Sequence, residues 1–143
     1  MKDKQPWKEV GLIDSGIFFV DGDRSSLRYP SREEFVDSGV MFLNAESIKS
    51  GRINLKAVNH IANEKYDQIK KGRIQKEDIL LTTRGNGIGD CAFVDIEEKG
   101  IINAQMLILR NKNNIICPQF LYYYITLDST KNLINVSSGL KLN

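Results

Sequence analysis

The sequence predicts an α+β fold: one twisted, mostly antiparallel sheet with peripheral helices. Three observations carry that expectation. Asp78 to Asn111 holds three apolar, β-prone runs separated by a glycine loop and a charged turn. Further short apolar runs precede it, each bounded by turn formers. Helical spacing is confined to short stretches on either side. A chain of 143 residues fits a single domain, 1–143. A domain of that size buries roughly 68–70% of its unfolded surface, enough for a real core.

In chain order, residues 1–5 read as a frayed tail. Pro6 to Gly16 alternates apolar and polar positions, as an opening strand stopped by glycine. Ile17 to Val20 is a second apolar run, and the turn-rich Asp21-Gly22-Asp23-Arg24-Ser25-Ser26 follows. Ser31 and Glu34 have capping-box spacing, which starts a short helix with Phe35 and Val36 on its buried side and Gly39 at its end. Met41 to Leu43 is a strand, Asn44 to Gly51 a polar connection, and Arg52 to Leu55 is extended. Val58 to Ile61 is another strand. Asn63 caps a helix to Lys71, with Gly72 as its C′ residue.

The central stretch reads as Ile79 to Thr83, the loop Arg84-Gly85-Asn86-Gly87-Ile88-Gly89, Cys91 to Val94, a polar turn, and one long strand from Ile101 to Leu109. Asn103 and Gln105 alternate along that last strand and read as bonding within the sheet. Asn111 to Asn114 is a polar turn. Pro118 opens a helix at a first-turn position, with Phe120, Leu121, Tyr124 and Ile125 as a core-facing stripe and Tyr122 and Tyr123 on other faces. Leu127 to Val136 gives a second helix or a continuation of the first, broken at Ser137-Ser138-Gly139. The final apolar-polar pattern has no natural stop, as expected of a truncated or once longer chain.

Charge is uneven. The chain carries +2 overall, but residues 51–76 hold 7 basic and 2 acidic side chains. A local basic segment on a nearly neutral protein suits a polyanion. Catalytic patterns are missing. The glycine loop is G-x-G-x-G, not G-x-G-x-x-G, and no Lys-Ser/Thr follows it. His60, the one histidine, has no matched partner and reads as structural. Asp21 and Asp23 lack the remaining ligands of a calcium loop. Cys91 and Cys117 have neither metal nor disulfide-framework spacing. No apolar run is long enough to span a membrane, and the polar N-terminus has no signal region, so the expected location is cytoplasmic. On the residues, a binding module without a cofactor is favoured over an enzyme.

Several segments, in this order, resemble the target-recognition domain of the specificity (S) subunit of type I restriction-modification systems. They are Trp7 to Leu12, Phe19 to Ser25, Tyr29-Pro30-Ser31, Gly39 to Ala45 and Gly72 to Gly85 with Ile88-Gly89 and Ala92. Ile102-Asn103-Ala104-Gln105 and Phe120 to Tyr124 complete the set. The resemblance implies a non-catalytic domain that reads one half of a split target in double-stranded DNA. It implies adenine-N6 methyltransferase (M) subunits and restriction (R) subunits as partners, with S-adenosylmethionine held by the methyltransferase. The long conserved helices of a full S subunit are not in this sequence, so a truncated chain, a split gene product or a half subunit fits.

The residue chemistry points the same way. Arg pairs bidentately with guanine, and Asn or Gln with adenine. Arg84 and Asn86 on the glycine loop are the first candidate readers, and Arg24, Ser25 and Arg28 form a second loop. Lys49, Arg52, Lys56, Arg73 and Lys76 are expected on phosphates, which position without specifying. Three rivals stand beside this reading. One is the recognition region of a single-chain restriction-methylation enzyme. Another is a protein-interaction module using Tyr122, Tyr123 and the basic segment. The third is a nucleotide-dependent enzyme using Gly85 to Gly89.

Overall fold

Along the central strands, alternate side chains enter different buried layers, and that alternation builds the molecule. The computed structural model describes residues 8–113 and 115–137. Its strands are β1 (Ile17–Asp21), β2 (Phe35–Val36), β3 (Val40–Leu43), β4 (Ile48–Lys49), β5 (Arg52–Ile53) and β6 (Asn59–Ile61). After helix α1 (Asn63–Gln68) come β7 (Ile79–Thr82), β8 (Cys91–Phe93), β9 (Gly100–Ile102) and β10 (Met106–Asn111). Helices α2 (Pro118–Thr126) and α3 (Asp128–Ser137) follow.

The α+β expectation holds, with two sheets where one was expected. The first has the order β1-β10-β7-β8 and is antiparallel throughout. The second has the order β2-β6-β3-β9, with β3 and β9 parallel. A hairpin, β4-β5, lies against β8.

Leu80, Met106 and Ile108 of the first sheet meet Met41, Leu43 and Ile102 of the second in a shared core. The alternate residues Ile79, Leu81 and Leu109 turn outwards, where Leu121 and Ile125 of α2 cover them. On the far side, Val40, Phe42 and Ile101 pack with Tyr66 of α1 and with Ile69. The layers therefore run α1, sheet, sheet, α2. Burial on both faces is why β3 and the Ile79–Leu81 part of β7 read as unbroken apolar runs.

Several elements differ from expectation. Residues 8–16 form no strand; a 3-10 turn at Ile13–Ser15 ends at Gly16, whose φ of 78° suits glycine. The capping box of Ser31 and Glu34 is present, but it closes a single 3-10 turn, Arg32–Glu34. Phe35 and Val36 are strand β2, and Gly39 ends no helix. The connection after β3 contains a 3-10 turn, Ala45–Ser47, and Leu55–Ala57 forms another in place of extended chain. Helix α1 stops at Gln68, short of Gly72, and Ala62 occupies its N-cap. The long strand expected over Ile101 to Leu109 is two strands in different sheets, joined by a turn at Asn103-Ala104-Gln105. In α2, Pro118 takes the first position as expected, but Phe120 and Tyr124 are exposed and stack on each other. Half-buried Tyr122 packs on Phe93 instead. Helix α3 continues through Ser137, and the expected break at Ser138-Gly139 and the N-terminal tail lie outside the described residues.

Candidate nucleic-acid interface

Strand register gathers four loops at one end of the molecule. Asp21 stands opposite Leu107, Met106 opposite Thr82, and Leu81 opposite Cys91. The loop after β1, the turn before β10 and the glycine loop between β7 and β8 therefore share an edge. Parallel pairing of Leu43 with Ile102 brings the loop after β3 to the same edge.

These loops are fastened to one another through backbone. Thr83 donates both its amide and its hydroxyl to the Gln105 carbonyl, at 2.9 and 3.0 Å. The Asn103 amide donates to the Leu43 carbonyl at 2.8 Å. Buried Asn103 accepts the Gln105 amide on its side-chain oxygen at 3.0 Å, a local turn of the kind Asn favours. At Gly22 an added methyl group would run into the Asn103 carbonyl, whose carbon would lie 2.7 Å away. Only glycine lets these two loops touch. A methyl group at Gly87 would sit 3.5 Å from Ala45, so the glycine loop also borders the loop after β3.

Arg84 and Asn86 are exposed, and neither side chain bonds to a described residue. Their loop turns through Gly85 and Gly89 at φ of 86° and 87°. It is closed by Gly89 donating to the Thr82 carbonyl. Gln105, also exposed, lies beside Gly85: its amide would be 3.8–3.9 Å from a methyl group placed there. Sequence reasoning placed Gln105 inside a sheet. The Asn103-x-Gln105 spacing was the available sign of a turn.

In the loop after β1, Arg24 pairs with Asp21 at 3.3 Å with both partners exposed, a contact of little cost to exchange. Arg28 bonds to Asp23 at 3.0 Å, and Asp23 also accepts the Ser25 amide at 2.8 Å. The Arg28 bond, then the Ser25 amide, hold the Asp23 carboxyl below its ordinary range. Arg28 is therefore committed to a buried carboxylate. Burial pushes the neighbouring Tyr29 phenol up, against hydrogen bonding with Asn103 and the Ala104 backbone.

The expected phosphate contacts divide. Lys56 sits on the Leu55–Ala57 turn, which touches the Ala45–Ser47 turn of the rim. Lys49 and Arg52 lie along the hairpin, where Arg52 approaches Asp95 at 3.5 Å. Exposed Lys76 pairs with Glu97, which raises its pKa. Arg73 is committed to the fold. It donates to the carbonyls of Ile69 and Tyr66 at 2.9 and 2.8 Å, and its guanidinium stands 4.1 Å over the Tyr66 ring. Where α1 ends it caps the Ile69 carbonyl and adds a second bond to the Tyr66 carbonyl, which already accepts the Ile69 amide.

A rim of exposed Arg, Asn and Gln on braced glycine loops suits base recognition, and the wider sequence agrees. Residues 22–143 match the family described as the type I restriction modification DNA specificity domain. The chain belongs to that family. Its members recognise DNA and are non-catalytic, and specificity subunits associate with M and R subunits. Two solved structures share the fold of this specificity domain. The S subunit of the M. genitalium type I system is 18% identical, with a TM-score of 0.55, over 86% of this chain and 26% of that one. The HsdS subunit from Thermoanaerobacter tengcongensis is 14% identical, with a TM-score of 0.58, over 89% and 28%. The specificity domain thus spans about a quarter of each solved subunit. No curated protein matches it.

Among the described residues, no cluster of His, Cys, Asp or Glu could hold a metal ion. Asp21 and Asp23, weighed as calcium ligands, face arginines instead. No described helix is long and apolar enough to cross a membrane.

Proposed function

We propose that this specificity domain reads one half of a bipartite DNA target through the rim of four loops. Arg84, Asn86 and Gln105 read base edges, joined by Arg24 and Ser25, while Arg28 braces its own loop. Lys56 and the hairpin residues Lys49 and Arg52 meet phosphates, and Lys76 does so by leaving Glu97. Adenine-N6 methyltransferase subunits carry out methylation with S-adenosylmethionine, and restriction subunits cut; the domain supplies the address. A DNA target places it in the cytoplasm. The observation that carries this reading is the meeting of Arg84, Asn86 and Gln105 on two loops bonded to each other, with the side chains of all three exposed. The chemistry is that of direct readout, in which Arg and amide side chains distinguish base pairs in the major groove.

The test is selection from a randomised duplex library, with the domain alone and with its methyltransferase subunit, at two salt concentrations. Enrichment of a short motif, lost in Arg84→Ala, is the expected result. Salt-sensitive binding with no motif in either setting would refute base reading. Absence of any binding would favour a protein-interaction role for exposed Tyr123 and the basic segment.

A further inference from the structure

Beside the reading rim a cavity of about 440 Å³ opens between residues 29–35, the loop after β3, and β6. One wall is aromatic. Tyr29 stands edge-on to Phe42 with ring centres 5.5 Å apart, and Phe35 lies tilted against Phe42 at 5.7 Å. The polar lining is made of amides from Asn44, Asn59 and Asn103. The Asn44 oxygen is occupied by the Ser47 amide, which leaves its –NH₂ group, while the side-chain amide of half-buried Asn59, whose backbone lies in β6, bonds to no described residue. Arg32 and Glu46 contribute one charge of each sign, both exposed.

This lining selects by chemistry. A single arginine in a lining that also holds a glutamate is a poor cradle for phosphate. Aromatic faces with amide donors and acceptors suit a flat heterocycle whose edge carries both. We propose that the cavity is a binding site for one unpaired nucleobase, a second and separate subsite beside the groove-reading rim. The proposal rests on the DNA-reading function and adds to it the seating of a base outside the stack. Asn103 joins the two subsites: it lines the cavity, and its side-chain oxygen holds the Gln105 amide. A base seated there touches the residue that sets the Gln105 turn.

The experiment is an NMR titration of the full chain with adenosine, guanosine, cytidine and thymidine. Alongside it, binding is measured for a duplex with a single-nucleotide bulge and for the same duplex fully paired. At least one nucleoside is expected to shift the amide signals of Phe35, Asn59 and Asn103 and to spare those of α2. Asn59→Ala and the exposed variant Glu46→Ala, each of which removes a hydrogen-bonding group from the lining, should each weaken that binding about fivefold, the worth of one hydrogen bond. Tighter binding of the bulged duplex, lost in the same variants, assigns the base to DNA. Nucleoside binding with no preference for the bulge assigns the site to a free nucleoside. If no nucleoside shifts these signals and bulged and paired duplexes bind alike, the cavity proposal is overturned while DNA reading stands. Nucleoside binding indifferent to both variants overturns it too. Loss of all duplex binding, with the nucleoside response intact, refutes the DNA-reading function instead.

Discussion

Gly22→Ala is the sharpest perturbation of the rim. Gly22 is buried where the loop after β1 meets the Asn103-Ala104 turn. An added methyl would lie 2.7 Å from the Asn103 carbonyl carbon and 3.1 Å from the Ala104 nitrogen. Carbon atoms settle at about 3.5–4.0 Å, so one loop must retreat by roughly an ångström. The obstacle is backbone, so no side chain can swing aside. Overpacking of this kind costs about 1–3 kcal/mol, and several degrees of Tm for a domain of this size. The retreat also displaces Arg24 and Ser25 from Gln105 by about the distance that breaks a directed hydrogen bond. Urea denaturation and binding to the selected half-site should therefore fall together, while salt-sensitive binding to random DNA is kept. Gly11→Ala is the control, since only Asp14 comes within 3.4 Å of an added methyl there. Wild-type stability and half-site affinity in Gly22→Ala would refute the claim that this approach sets the rim.

Further outcomes are expected. Arg84→Ala should cost about 1–3 kcal/mol on the selected half-site and little on random DNA, whereas Lys56→Ala should weaken both and lower the salt slope by about one unit in a salt titration. Arg110→Met should destabilise by about 3–5 kcal/mol in denaturant titration. It strands Asp78, which is 2% exposed and takes two bonds from that guanidinium at 2.8 and 2.7 Å. Because the Asp23 carboxyl is held low in the folded state, its contribution is present above the unfolded value near about 3.9 and is lost as pH falls through the folded value. Asp23→Asn should be less stable at pH 7, and the gap to wild type should close below about pH 4 in acid titration. Exposed Cys117 should react with a thiol reagent in the native protein, while Cys91, buried and with its thiol pKa raised by burial, should react only on unfolding.

Local signals carried much of the fold. The β7 run, the glycine loop, the capping box of Ser31 and Glu34 and Pro118 at the head of α2 depend on neighbours in sequence, so they were legible. Pairings between distant segments were not. Nothing local marks β1 as the partner of β10, or β9 as the parallel neighbour of β3. Burial of alternate residues in two different layers erased the polar alternation that marks a half-exposed strand. The same effect hid the turn at Asn103, where two apolar strands meet end to end, and with it Gln105. Charge was equally ambiguous. Arg73 and Lys56 look alike in a basic segment, but Arg73 ends within reach of two helix-end carbonyls and an aromatic ring, and Lys56 ends in solvent.

The bracing of the rim also separates folding from address. The contacts that hold the loops together are backbone to backbone, or come from the Thr83 hydroxyl and from buried Asn103 and Asp23. Arg84, Asn86 and Gln105 contribute no side-chain bond to that bracing. Exposed substitutions of this kind usually change stability by less than about half a kcal/mol, whereas one bidentate base contact discriminates by about 1–3 kcal/mol. Under the proposed readout, target sequence changes at these positions with the scaffold untouched. The glycines have no such freedom. Gly22 is fixed by close approach to Asn103, and Gly85 and Gly89 by positive φ, because a side chain at any of them strains the backbone that carries the proposed readers.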